Sequence, residues 1–354
     1  MRIHLIQDLP TPHNIDLIDE VNKFSNVSVI EYYSVIEDKT RYQWDKLLRE
    51  PGDIEFLYGL KLNVRFISKM WRLAKTENVI IVGWMNVNTL FLHLILLLTF
   101  RRFIHWTDLP SDAKLLRETK RRFMYFLMFI NQTRIFCAGT KALDYFKNIG
   151  LRTDQLVNIP ISTNIYFKHG QHSEYLSKQV RIVAGSRLIY DKGYDILLEA
   201  LNILKRNGFD NFHLDLIGSG VERANLESFV TDNKMTDLVK FHPWMGFDEF
   251  MSLISESFAF IHPARFDAFG GSIFGMACGV PVIGSSGAGA VKERVVHGMN
   301  GLIYDDNNPD TLANLIHELV NDPVLYEKLR IGARRTAKQW TPQVVAKKVI
   351  ESLF

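Results

Sequence analysis

The sequence predicts an α/β protein made of two doubly wound domains, and three observations carry that prediction. Short β-rich runs alternate with helical patterns from end to end, the mark of parallel sheets. The chain has 354 residues, and at about 150 residues per domain it is long enough for two separate cores. The alternation lapses once, over a polar stretch at 168–178 with no strong period, and then restarts.

In the first half, residues 3–6, 27–30, 54–58, 78–82, 102–105 and 134–137 read as strands, with helical patterns between most of them. Residues 157–178 read as the linker. Beyond it, strands are predicted at 179–183, 213–217, 238–241, 257–262, 279–283 and 301–304. Helices are predicted at 194–206, 221–231, 309–321 and 323–340, and a last one at 342–354. The predicted domains are therefore 1–165 and 179–340. Two such domains facing each other line one interdomain cleft with the carboxyl ends of their strands, where open sheets bind ligands.

Composition narrows the function. Apolar residues make up 47% and charged residues 23%, a globular balance that excludes disorder. The net charge of +3 is too weak to make nucleic acid the main partner. Cys137 and Cys278 lie far apart without metal spacing, so they read as reduced, buried thiols. The N-terminus lacks the long apolar core of a signal peptide. The longest apolar run, 90–100, is interrupted by His93 and falls short of the roughly 20 residues that span a bilayer. A cytoplasmic protein is expected.

The most informative segment is His262-Pro-Ala-Arg-Phe-Asp-Ala-Phe-Gly-Gly-Ser-Ile-Phe-Gly-Met-Ala-Cys-Gly-Val-Pro-Val-Ile283. A strand ends at His262, a turn carries Asp267, and Gly270, Gly271 and Ser272 open a short helix. Backbone N–H groups at such a start can hold a phosphate, and Asp267 can accept hydrogen bonds from sugar hydroxyls beside it. The plain alternative is a tight strand-to-helix connection with a capping carboxylate. Gly218-Ser-Gly220 lacks the third glycine of a dinucleotide fingerprint, with Arg223 in its place, which disfavours a nicotinamide dehydrogenase.

This segment resembles the signature of glycosyltransferase family 4 and its GT-B relatives, in which an acidic residue, then Phe-Gly, then a helix ending Met-Ala-x-Gly-x-Pro-Val-Ile binds a nucleotide-sugar. Ala184-Gly-Ser-Arg187 followed by Lys192-Gly193 is similar to the family element that contacts the donor diphosphate. Leu216-Ile-Gly-Ser-Gly220, Phe241-His-Pro-Trp244 and Gly287-Ala-Gly-Ala-Val-Lys-Glu293 fall where the family has its turns, and Glu293 resembles the Glu of its later Gly-rich turn. The resemblance covers the second half almost completely and the first half weakly, through Cys137-Ala-Gly-Thr and Ile159-Pro-Ile. One departure stands out: the family's second acidic residue, eight positions after the first, is replaced here by Gly275, or by Phe274 if the segment is one residue shorter.

The resemblance implies a GT-B fold with two Rossmann-like domains and a terminal helix, 341–354, that packs back on the first. It implies a retaining, hexosyltransferase-type enzyme moving sugar from a UDP or GDP donor to a glycan or lipid-linked hydroxyl, in surface polysaccharide or glycoconjugate synthesis. The residues add chemistry of their own. A leaving diphosphate gains negative charge, and without an acidic cluster for a metal the cations Arg187 and Lys192 compensate it. No cofactor and no metal are expected.

In the first half, Phe103-Ile-His-Trp-Thr-Asp-Leu-Pro110 ends a strand with His105 and Asp108 directed at the expected cleft, where either can orient or deprotonate an acceptor hydroxyl. His13, in the loop after the first strand, is placed on the acceptor side. Lys114, Arg117, Lys120, Arg121 and Arg122 precede Phe123-Met-Tyr-Phe-Leu-Met-Phe-Ile130. With 90–102 they read either as a basic, aromatic face for an anionic membrane surface or as a buried helix with a solvated basic edge. The rival readings are a non-catalytic sugar-nucleotide or glycan-binding module of the same fold, and a GT-B epimerase or phosphorylase.

Overall fold

The structure, a computed structural model, describes residues 1–7, 11–33, 54–56, 64–76, 78–83, 87–108, 115–167, 179–305 and 307–353. The chain divides into two units, one of residues 1–162 with 342–354 and one of residues 163–341. The stretch 168–178, half of the predicted linker, lies outside the described residues, as do Pro10 and the end of the third predicted strand at 57–58.

The first unit holds β1 (Arg2–Gln7), β2 (Ser28–Tyr33), β3 (Ile54–Phe56), β4 (Val79–Val82), β5 (Ile104–Thr107), β6 (Arg134–Cys137) and β7 (Leu156–Asn158). They form one parallel sheet in the order β3-β2-β1-β4-β5-β6-β7. Helices α1 (Pro12–Asn22), α2 (Val64–Ala74), α3 (Val87–Leu98), α4 (Leu115–Ile130) and α5 (Thr140–Asn148) connect the strands. Strand β4 reads Val-Ile-Ile-Val because a central parallel strand is buried on both faces. Strand β7 is a correction to the sequence reading, which gave Val157 and Asn158 to the linker. Three residues are too few to show a period, and pairing with β6, from Ile135↔Leu156 onwards, defines it.

Thr11 caps α1, its hydroxyl accepting from the Asn14 N–H at 3.1 Å, and proline takes the first helical position. His13 is thus in the first turn of a helix, not in a loop as expected. Helix α3 absorbs most of the long apolar run, and no described helix is long and apolar enough to cross a membrane.

The second unit holds β8 (Val180–Gly185), β9 (Phe212–Ile217), β10 (Val239–His242), β11 (Ala259–His262), β12 (Val282–Ser285) and β13 (Leu302–Tyr304). They too are parallel, in the order β10-β9-β8-β11-β12-β13. Helices α6 (Tyr194–Arg206), α7 (Arg223–Asp232), α8 (Phe247–Ser255), α9 (Ser272–Ala277), α10 (Gly289–Arg294), α11 (Pro309–Asn321) and α12 (Pro323–Ala337) flank them. Helix α8 was not predicted, and its Phe250, Met251 and Ile254 bury against the sheet beside Val183 and Ile217. The helix predicted at 323–340 ends at Ala337 and tightens into a 3-10 turn, Lys338–Trp340. Helix α13 (Pro342–Leu353) returns to the first unit, where Val345, Ala346 and Val349 share a core with Leu17, Ile18 and Val21 of α1. Both thiols are buried and unpaired, and burial pushes Cys137 up to about 12, far from the reactive thiolate range.

Candidate active site

In the second unit the strand order reverses between β8 and β11, and doubly wound sheets bind ligands outside the carboxyl ends of their strands at such a point. Three loops meet there, those after β8, β11 and β12. Gly193, with φ +65°, is the device that joins the first two: a Cβ on it would stand 2.1 Å from the Pro263 carbonyl oxygen, so only glycine lets the chains touch. Phe266 N–H donates to the Asp191 carbonyl at 3.1 Å, and Arg265 forms a bidentate pair with Asp195 at 2.6 and 2.5 Å. The third loop is stitched to the second by Asp267 N–H to the Gly287 carbonyl and Gly289 N–H to the Asp267 carbonyl, both 3.1 Å.

Asp267 sits at the centre of this convergence. Its Oδ2 is 2.5 Å from Lys192 Nζ and 3.3 Å from His262 Nε2. All three side chains are largely buried. Burial alone would raise the Asp267 carboxyl, but the hydrogen bond and charge of His262 and the Lys192 ammonium outweigh it and hold the group well below the usual carboxylate range. The site therefore presents a carboxylate that stays ionised well into the acid range, beside the Lys192 ammonium. Tyr194 closes its floor, with its hydroxyl 2.5 Å from Ser186 Oγ and its titration pushed upward chiefly by burial.

Two buried atoms here have no hydrogen-bond partner among the described residues, His262 Nδ1 and Ser272 Oγ. Buried polar atoms are rarely left so, and hydroxyl or phosphate oxygens of a ligand would satisfy them. With Nε2 assigned as donor to the carboxylate, Nδ1 is the ring atom left to meet a ligand. Gly270, with φ +95°, lies against the same ring: a Cβ would fall 2.1 Å from His262 Cε1. Gly271 caps α9, whose first residue is Ser272. Six residues make a short helix, so an anion there would rely on its free N–H groups more than on a long dipole.

The structure thus brings together Lys192, Asp267, Gly270, Gly271 and Ser272 of the predicted set. Arg187 follows β8 in the same loop, exposed, with its guanidinium unpartnered among the described residues. Glu293 is half-buried in α10. The missing second carboxylate has a packing reason. A Cβ on Gly275 would lie 2.7 Å from Val282 Cγ2 and 2.8 Å from Phe260 Cβ, and the Phe274 ring packs edge-on against Phe247 and Phe250. Gly275 has no room for an acid, and position 274 is taken by a ring set among aromatic neighbours. The Gly218-Ser-Gly220 turn is pressed on Ser186–Leu188, with would-be Cβ atoms 2.0 and 2.2 Å from the carbonyl oxygens of Ser186 and Leu188.

The first unit corrects the sequence reading. His105 does not stand open at a strand end but is fully buried, its Nδ1 3.3 Å from His93 Nε2 and its ring edge-on to that of His93. Burial and then His93 depress its basicity strongly. Asp108 follows β5 and is half-buried, and so is His13. On β1 and β2, beside this sheet's own reversal, the sequence reading overlooked a buried polar group: Glu31 accepts from Gln7 Nε2 at 3.2 Å and from the Tyr33 hydroxyl.

Two residues of the second unit were also missed. His262 was noted only as the end of a strand, and its place just before the Pro-x-x-x-Asp turn was the available signal. Arg294 is buried with its guanidinium 5.0 Å from the Phe269 ring and 4.6 Å from the Trp340 ring, and burial pushes it down to about 9. It props the loop that carries Asp267 and Gly270, and nothing in the local sequence announces it.

A fold of two such units is that of the GT-B proteins. The whole chain superimposes on Anabaena HepE, solved in complex with UDP, with a TM-score of 0.79 at 17% identity, covering 100% of this chain and 99% of that one. Sucrose-phosphate synthase of Thermosynechococcus elongatus gives 0.75 at 17% identity over 99% and 98%. Within that class, residues 168–336, most of the second unit, match the family described as glycosyl transferases group 1. The chain is 29% identical over 251 residues to an uncharacterized glycosyltransferase of Methanocaldococcus jannaschii, 69% of this chain and 66% of that protein. It is 28% identical over 187 residues to a GDP-mannose-dependent alpha-(1-6)-phosphatidylinositol monomannoside mannosyltransferase of Mycobacterium tuberculosis, 50% of this chain and 48% of that protein. The chain thus spans between about half and two-thirds of the length of these curated relatives.

Proposed function

We propose that the protein is a retaining hexosyltransferase that moves a sugar from a UDP or GDP donor to a hydroxyl of a glycan or lipid-linked acceptor. The observation that carries this reading is the Lys192–Asp267–His262 cluster at the strand reversal of the second unit, with two unsatisfied buried atoms beside it. A carboxylate kept ionised suits sugar hydroxyls, which donate to it. The N–H groups of Gly270 to Ser272 and the unengaged Arg187 suit a diphosphate whose charge rises as the glycosidic bond breaks. In this reading Lys192 serves both partners, holding Asp267 before the donor arrives and sharing its charge with the phosphates afterwards. The chain's own cations carry the compensation, with no cofactor or metal assigned a part. Asp108 or His13 is left to face the acceptor, since the burial of His105 favours a structural role for it. The name of the mannosyltransferase relative supports glycolipid synthesis among the polysaccharide and glycoconjugate routes expected, and in this reading the work is done at the cytoplasmic face of a membrane.

One observation favours a second reading. With Gly275 and Phe274 packed where an acid is expected, the protein can instead be a module that binds a sugar nucleotide without turning it over. Incubation with UDP- and GDP-sugars, followed for nucleoside diphosphate release with and without added acceptor, separates the two. Release that depends on acceptor is expected. Tight binding with no release supports the module, and no binding of any donor removes the proposal.

A further inference from the structure

We propose that the outer face of α4, together with the turn after α3, is a docking surface for an anionic lipid bilayer. A surface helix normally turns its apolar stripe inward and its charges outward. Helix α4 does the first with Met124, Tyr125 and Met128 but not the second. Arg122, Phe123, Phe126, Phe129 and Ile130 fall within about 120° of the helix circumference, and all five are exposed. Three outward phenylalanines on one helix form a patch, not scattered exposure.

The patch continues onto the neighbouring turn. Asn131 Nδ2 donates to the Arg101 carbonyl at 2.8 Å, which clips the end of α3 to the end of α4. Leu98 and Phe100 project there, 74% and 72% exposed. Phe100 has φ +52°, a backbone conformation that a bulky L-residue adopts only at a cost of about 1 kcal/mol or more. A strained backbone that holds an aromatic ring in solvent points to something outside the molecule.

Charge identifies the partner. Arg101, Arg102 and Arg122 flank the aromatic rings, all exposed, and no acidic residue occurs at 98–102 or 122–130. The side chains of Arg117, Lys120 and Arg121, and Lys114 as a whole, lie outside the described residues. Aromatic rings that enter the headgroup layer while arginines meet anionic headgroups are the interfacial pattern. A second copy meeting this face across a two-fold axis would oppose like charges, which disfavours self-association. The surface gives a lipid-linked acceptor a place to be met and to that extent rests on the proposed function. Vesicle binding needs no sugar transfer, so the two ideas fail separately.

The test is co-sedimentation of the full chain with mixed phosphatidylglycerol–phosphatidylcholine vesicles and with pure phosphatidylcholine vesicles. Pelleting with the mixed vesicles only, weakening with salt, is expected. Arg101→Ser and Arg102→Ser should each lower partition about fivefold, and the Phe123→Ser/Phe126→Ser pair about tenfold or more, with unchanged melting temperature. If the serine pair melts early, a second arm decides. Because both native thiols are buried, Phe126→Cys can be labelled selectively with a polarity-sensitive dye, whose emission should shift to the blue on anionic vesicles. Equal pelleting by all variants, equal affinity for both vesicle types, no dye shift, or a dimer in sedimentation velocity that the serine pair abolishes would each overturn the proposal.

Discussion

His105 and His262 each read from the sequence as the last residue of a parallel strand, and the two fare oppositely: His262 does end β11, whereas His105 is the second of the four residues of β5. His262, on β11, borders the reversal of its sheet and meets Asp267 across a glycine turn. His105, on β5, is one strand away from its sheet's reversal and is sealed in an apolar core against His93. A polar residue at a strand end is the same signal in both sequences of residues. What separates them is strand order, which no local pattern carries, and the close glycine, which one segment has and the other lacks.

The contrast can be broken most sharply at Asp267. Asp267→Asn leaves Lys192 buried without its partner, and removing one member of a buried pair costs about 3–5 kcal/mol. Denaturant titration should register that loss, and diphosphate release should fall to background. The acid side has a definite sign: the carboxyl is depressed in the folded state, so its contribution is complete above its ordinary value near 4 and disappears as pH falls below it. Gly270→Ala is next. It adds strain at φ +95° and a collision with His262, so a stability loss of about 2 kcal/mol should accompany loss of donor binding by calorimetry. Unchanged donor affinity in Gly270→Ala would detach the glycine from the site.

The histidines themselves sharpen the comparison. His105 is depressed well below 6.5 in the fold, so below that pH the unfolded chain takes up the proton first. Stability should decline by up to about 1.4 kcal/mol per pH unit there and be insensitive to this group above it. His105→Leu should flatten that slope and leave donor affinity alone, whereas His262→Leu should lower affinity and keep the slope. The smallest effect on the fold belongs to Arg187→Ala, with stability within about 0.5 kcal/mol and donor affinity roughly tenfold weaker through a lost charge-assisted contact. An unaltered affinity would take Arg187 out of the diphosphate reading.

Much of the second unit was legible because its punctuation is chemical. Gly193 before α6 and proline at the first position of α11 mark both helices to the residue. Asp267, Lys192 and the glycines were found because their spacing is itself a motif. Residues that act through tertiary packing escaped: β7 is defined only by its neighbour, α8 by the face it covers, Arg294 by two distant rings, and the Glu31–Gln7 group by pairing between β1 and β2. His105 was misjudged for the same reason, since alternation along a strand does not say which face a helix will cover.

The return of α13 to α1 bears on how the protein is born. During synthesis the ribosome delivers the whole second unit before it delivers Val345, Ala346 and Val349, which complete the first unit's core. The earlier-made half therefore waits with an uncovered apolar flank while the later half folds, and a nascent chain stalled before this last helix is the species on which a chaperone would find the most to hold.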